Sequence, residues 1–264
     1  MKRILAALLI LCLLMGCSAA PSGNGDSTPE NTSGNFTDEM KIPYQDGHDV
    51  FADDGADSVE RDGDHPDSPY FKFPDYYNLE STETLTMLTN FSTRQQATEW
   101  SCGVTAALMV LEWYDALGEY EEMSLAAFRS NGQAPQGTST RQIIEIFEGV
   151  GGFDIYSTFD CEDTVYDVFT QDFITDTLAE GKPILIGWND WGGHWQVVVG
   201  YDTMGTEVMQ DDVLIVACPY DTTDHNQDGY IAYPAERFYY NFTFYNFFPD
   251  EELNDMCFIV ASPA

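Results

Sequence analysis

Gln95-Gln96-Ala97-Thr98-Glu99-Trp100-Ser101-Cys102-Gly103 runs without a break into Val104-Thr105-Ala106-Ala107-Leu108-Met109-Val110-Leu111. The second half is apolar almost all round, as far as Trp113, the pattern of a helix buried at the centre of a domain. The first half reads as a loop that delivers one cysteine to the start of that helix. The pattern predicts a helix from Cys102 to about Leu117, ended by Gly118. A thiol at Cys102 stands near the positive end of the helix dipole, where its pKa is expected to fall and the nucleophilic thiolate to become populated. Gln96, six residues upstream, can donate a side-chain N–H toward the same spot.

Far downstream, Trp191-Gly192-Gly193-His194-Trp195-Gln196-Val197-Val198-Val199-Gly200-Tyr201 places a histidine at the start of a hydrophobic strand, behind two flexible glycines. A sheet-edge imidazole can meet a helix N-terminal thiol and serve as its general base and then as an acid. His48 and His65 lie in a polar N-terminal stretch and His225 in an acidic loop, which leaves His194 as the partner for Cys102. Gln96 and the backbone N–H of Cys102 would donate to the oxyanion of a tetrahedral intermediate.

The elements around this pair read as an α+β domain. Thr84 to Thr93 is a mixed extended segment, and Ser124 to Arg129 is a short helix capped by Ser124. Thr138 or Ser139 opens another helix through Phe147, with Ile143, Ile144 and Phe147 on one face, and Asp172 to Glu180 looks helical up to Gly181. Strands are expected at Ile184 to Trp188, His194 to Tyr201, Val213 to Ala217 and Phe258 to Ala261, each short, apolar and bounded by Gly, Asp or Pro. Helices come first and strands afterwards, the order of an α+β fold with a central helix packed on an antiparallel sheet.

Several of these stretches together carry a resemblance. Gln96-x5-Cys102-Gly103 before an Ala-rich helix, Gly137-Thr138-Ser139 opening a later helix, Gly181-Lys182-Pro183-Ile184, and Gly193 to Asp202 are similar to the bacteriocin-processing, double-glycine-type cysteine peptidases of the papain clan. They resemble more closely the stand-alone exported relatives that lack a transporter, over roughly Leu79 to Ala261. The resemblance implies a papain-like fold, Cys102 as nucleophile, His194 as base, Gln96 in the oxyanion hole, and an aspartate after the next strand to orient the imidazole. In this chain Cys218-Pro219 stands where the family has Asp-Pro. A cysteine replaces a charged orienting group only with a heavily depressed pKa. Asp221, three residues on, is the alternative, as is a backbone carbonyl or water. Loss of the orienting acid can cost several orders of magnitude in rate.

The N-terminus reads as an export signal over residues 1–16: Lys2 and Arg3, an apolar core from Ile4 to Leu14, then Leu14-Met15-Gly16-Cys17. The core is too short for a comfortable membrane span. Leu-x-Gly-Cys resembles the bacterial lipobox, which would make Cys17 the lipidated mature N-terminus; cleavage near Ser18-Ala19-Ala20 is the other reading. Residues 17–73 are polar and acidic, poor in aliphatics, and are expected to form a mostly disordered tether. Residues 74–264 hold most of the aromatics and suffice for one sizeable core. The chain carries 45 acidic against 10 basic residues, a formal net charge of −35. Such a field repels nucleic acid and anionic lipid and favours cationic partners.

Asp224-His225-Asn226-Gln227-Asp228-Gly229 supplies oxygens at positions 1, 3 and 5 and glycine at 6, the opening half of an EF-hand-type calcium loop without its closing glutamate. A calcium site on Asp224, Asn226 and Asp228, completed by Glu236 or water, and a plain acidic turn both fit. No cofactor is otherwise required. Cys161, Cys218 and Cys257 could hold one disulfide, and a Cys102–Cys218 link would gate the nucleophile. Two functions remain open: an exported, lipid-anchored cysteine peptidase or related thiol amidohydrolase acting on peptides, some of them cationic, and a surface lipoprotein that keeps the fold only for binding.

Overall fold

The computed structural model describes residues 74–162, 165–222 and 226–264. The signal, the lipid site at Cys17, the tether and Asp224 lie outside the described residues.

Helix α1 (Cys102–Trp113) forms where the apolar run predicts it, and every residue from Cys102 to Leu111 is buried. It ends four residues earlier than expected. Asp115 adopts the left-handed conformation, φ 54°. Its N–H donates to the Glu112 carbonyl at 2.9 Å, and the Ala116 N–H donates to the Leu111 carbonyl at 2.8 Å. That is a Schellman closure built on aspartate, so Gly118 is not the cap.

Helix α2 (Glu122–Ala126) begins at Glu121, with Ser124 inside the first turn; the serine hydroxyl serves the Glu121 N–H at 2.7 Å in a capping box. The expected Ser124 cap is thus shifted by three residues. Helix α3 (Thr140–Val150) carries the expected Ser139 cap, with Gln142 reciprocating from N3. The remaining helices are α4 (Val165–Val168), α5 (Gln171–Ala179, capped by Thr170) and α6 (Ala235–Tyr240).

The strands are β1 (Leu85–Met87), β2 (Phe153–Ser157), β3 (Ile184–Trp188), β4 (His194–Asp202), β5 (Val213–Ala217), β6 (Tyr230–Pro234) and β7 (Cys257–Pro263). All pair antiparallel, in the order β2-β7-β3-β4-β5-β6. The first half of β4 pairs with β3, and after an irregularity at Val198/Gly200 its second half pairs with β1. Strand β7 lies between β2 and β3 although it is the last in sequence.

Helix α1 packs on β4, flanked by α2 and α3. Val197, Val198 and Val199 are all fully buried, so β4 is covered on both faces. Burying each such side chain contributes about 1.5–3 kcal/mol. The sheet therefore fixes its own centre, and His194 stands at the N-terminal end of that centre, where β4 leaves the core.

Candidate active site

Cys102 is the first residue of α1. Ser101, its N-cap, makes no side-chain capping bond, so the first-turn N–H groups are left for another acceptor. The backbone N–H groups of Trp195, Gly103 and Cys102 itself favour the ionised form of the thiol. The Trp195 contact brings the start of β4 against the thiol. Close approach here depends on Gly103: a Cβ on it would lie 2.8 Å from Thr138 Cβ and 3.1 Å from Trp195 Cδ1. The expected fall in the Cys102 pKa is reversed. Burial raises it above 9.0, the three N–H groups do not offset this, and Glu122 adds to the rise.

His194 is 4% exposed, and burial lowers its pKa to about 3. At neutral pH both the thiol and the imidazole are uncharged. Nε2 of His194 lies 3.3 Å from Sγ of Cys218, so the position next to the imidazole is taken by a thiol. Burial first, and then Asp221, push the Cys218 pKa well above 9.0. A neutral thiol neither stabilises an imidazolium nor selects a tautomer: it can accept weakly from an Nε2–H or donate its proton to Nε2. A carboxylate would do both, and would reserve Nδ1 as the base.

Asp221 is fully buried beside Cys218 and accepts from the Gly229 N–H at 3.1 Å, bracing the turn between β5 and β6. Cys218 also hydrogen-bonds the Gln196 side chain. Gln196 in turn accepts from Trp188 Nε1 at 2.7 Å and donates to Asp190, which also accepts from the Tyr233 hydroxyl at 2.9 Å.

Gln96 is buried, and its backbone N–H donates to the Pro219 carbonyl at 2.9 Å, tying the loop to the residue after Cys218. Its side-chain amide donates to the Thr98 carbonyl at 2.6 Å and not to a group at Cys102. Its Oε1 is buried and meets no hydrogen-bond donor among the described residues.

Two buried charges beneath the site escaped the sequence reading. Glu122 accepts from the Ala97 N–H at 3.1 Å and from the Thr105 hydroxyl at 2.7 Å, pinning the loop before Cys102 to α1. Arg129 lies under the following wall. Nothing in the local sequence marks either, because each is defined by partners distant in the chain.

Cys102 opens onto a cleft of about 660 Å³. Trp100, Trp195, Phe244, Phe247 and Phe248 form apolar walls, and Glu99 and Glu252 are the charged residues of the lining. Glu99 accepts from the Tyr220 hydroxyl, whose ring packs against the exposed Trp191. Glu252 accepts from Ser139 and faces Arg141.

Asn226 and Asp228 are buried, and the Asn226 amide donates to Asp228 at 2.9 Å. Among the described residues no group of three His, Cys, Asp or Glu side chains is disposed to hold a metal. Cys102, Cys161, Cys218 and Cys257 are all free thiols, so neither of the envisaged disulfides is formed.

The crystal structure of a double glycine motif protease from an AMS/PCAT transporter, in complex with the leader peptide, is similar over 65% of this chain and 91% of that chain. The two share 15% identity, with a TM-score of 0.38. No curated protein matches the chain. The Peptidase_C39 like family model matches residues 88–247, more than half of the chain, and takes in Gln96, Cys102, His194 and Cys218. The chain belongs to that family, and its α+β domain is a papain-like, cysteine peptidase-like one.

Proposed function

We propose that this domain is a peptidase that cuts amide bonds through Cys102. The observation that carries the reading is the uncapped start of α1, where the backbone N–H groups of Cys102 and Gly103, with that of Trp195 from β4, favour the ionised form of a thiol that opens onto an aromatic cleft. These donors suit a thiolate and the oxyanion of an acyl intermediate alike. With thiol and imidazole both neutral at rest, His194 acts by general-base catalysis as substrate arrives: Cys102 loses its proton to the ring and attacks the carbonyl. The imidazolium then protonates the leaving amine, and water hydrolyses the thioester. The cleft walls favour peptides with apolar or aromatic residues near the cut, and Glu99 and Glu252 favour a cationic side chain among them.

Burial of both groups and the thiol at position 218 support a second reading, in which the cleft binds peptides without cutting them. Turnover of a fluorogenic peptide library separates the two. Cleavage by the wild type that is lost in Cys102→Ala supports the peptidase; peptide binding without cleavage in both proteins supports the binding module.

The same proposal places the domain on the outer face of a bacterial membrane, exported and anchored through lipid on Cys17, with residues 17–73 as tether. Metabolic labelling with a fatty-acid analogue tests it: label in the wild type and none in Cys17→Ser is expected, and equal label in both would refute it.

A further inference from the structure

Arg129 is 3% exposed, and all five of its guanidinium N–H groups are used. Nε donates to the Gly132 carbonyl at 3.0 Å, Nη2 to Gly132 and Ala134 at 2.7 and 2.9 Å, and Nη1 to the Gln136 carbonyl and the Thr138 hydroxyl at 3.0 and 2.9 Å. Acceptors at every second residue mean that the segment 132–138 curls around one guanidinium. None of the acceptors is charged. A buried cation is therefore held by neutral dipoles, and its charge is felt by what lies beyond them. Its face also covers the Trp100 ring, 4.7 Å from the centroid.

What lies beyond is the nucleophile. Thr138, held by Nη1, packs against Gly103, and its carbonyl accepts from Trp195 Nε1 at 2.7 Å. Trp195 supplies one of the N–H groups at Cys102. We propose that Arg129 is a positioning residue with two separable effects: its fork fixes the cleft wall at 132–138, and its charge favours the Cys102 thiolate. The proposal rests on Cys102 being the nucleophile.

At Cys102 itself burial, the backbone N–H groups and Glu122 set the pKa, and the link to Arg129 is seen in the pull that Cys102 exerts on the guanidinium. Burial lowers the Arg129 pKa to about 10, still protonated at neutral pH, while Cys102 and then Glu122 pull it back up. Around Cys102 the other charged or titratable groups are Glu122 beside α2, His194 on β4, Cys218 after β5, and Glu99 and Glu252 on the cleft wall. The carboxylates oppose the thiolate, so Arg129 is the permanent cation in this set. Lysine cannot replace the fork, since its three donors diverge from a point.

The test is the pH dependence of Cys102 alkylation by iodoacetamide, read by peptide mass spectrometry on the full chain, together with KM and kcat. Arg129→Met is expected to raise the alkylation midpoint by about one unit, a tenfold smaller thiolate fraction below the midpoint. The rate falls less, about threefold, because a more basic thiolate is intrinsically more nucleophilic. Arg129→Lys is expected to keep the midpoint near wild type and raise KM. Thr138→Val, which keeps the charge and the packing on Gly103 but removes the hydroxyl that accepts from Arg129 Nη1, is expected to do the same. If Arg129→Met does not fold, the other two decide the matter: KM unchanged in both overturns the wall role, and midpoints shifted as far as the wall is disturbed overturn the charge role. A Cys102→Ala protein that still turns over substrate would sink the nucleophile itself. Loss of turnover there, with midpoint and KM unmoved in Arg129→Met, sinks the Arg129 proposal alone.

Discussion

Replacing His194 with glutamine removes a titrating group from the site and leaves a polar side chain of similar reach. In the folded protein burial holds the imidazole pKa at about 3; in the unfolded chain it returns to about 6.5. Between those values the unfolded state binds a proton that the folded state refuses. The stability tied to this group is complete above pH 6.5 and is lost as pH falls toward 3. The whole difference is about 5 kcal/mol, of which about 2 kcal/mol has gone by pH 5 and about 3 kcal/mol by pH 4. Urea unfolding of wild type and His194→Gln, followed by tryptophan fluorescence at pH 7.5, 6 and 5, reads it directly. Any fixed cost of the substitution shifts one curve by a constant, and Asp190 and the other acids titrate in both proteins. The buried thiols Cys102 and Cys218 titrate above this window. The wild type should therefore lose about 2 kcal/mol against the variant between pH 7.5 and pH 5. Parallel curves would refute the burial argument, and with it the picture of a neutral resting pair.

Cys218→Asp puts a carboxylate within reach of His194 Nε2. The His194 pKa should rise and kcat/KM should increase by about a hundredfold or more, measured as a pH–rate profile; an unchanged profile in a folded variant would show that Cys218 does not occupy the orienting position. Gly187→Ala would place a Cβ 2.3 Å from Phe244 Cζ and 2.9 Å from Trp195 Cε2. It should cost about 1–3 kcal/mol by urea unfolding and raise KM as Phe244 is pushed into the cleft; wild-type values for both would contradict the tight packing of that wall.

The elements that were legible in the sequence are those whose signals are local. Ser139 with Gln142, Pro183 before an unbroken apolar run, and the all-apolar α1 each carry their own start and pattern. Strand β2 was missed because Phe153-Asp-Ile-Tyr-Ser is half exposed at the sheet edge, so its alternation is weak and its pairing with β7 more than a hundred residues away decides it. Strand β6 and α6 follow the acidic turn directly and carry no local signal of their own, since Tyr230 to Tyr240 passes from strand to helix at Pro234 and Ala235 without a clean period.

The same division runs through the site. Cys102, His194 and Cys218 stand at element boundaries that spacing reveals, and the contact between His194 and Cys218 follows from that placement. The Cys102 pKa was misjudged because helix position is local and burial is not. Arg129 was read only as the end of a short helix: its burial requires carbonyls from a loop with no pattern of its own. Gln96 was expected to face Cys102, yet the side-chain partner it finds is the carbonyl of Thr98, a choice made by loop shape.

Strand β7 has a consequence for how the chain comes to be folded. Residues 257–263 pair with β2 on one side and β3 on the other. Until they have been made, β2 has no neighbour in the sheet and β3 presents a bare hydrophobic edge, the kind that pairs with another chain. The family match ends at residue 247, short of this strand. A fragment cut there would keep every residue of the Cys102–His194–Cys218 set and lose an interior member of its scaffold. Folding therefore cannot be completed from the N-terminal end forward; synthesis must run through residue 263 before the sheet can close.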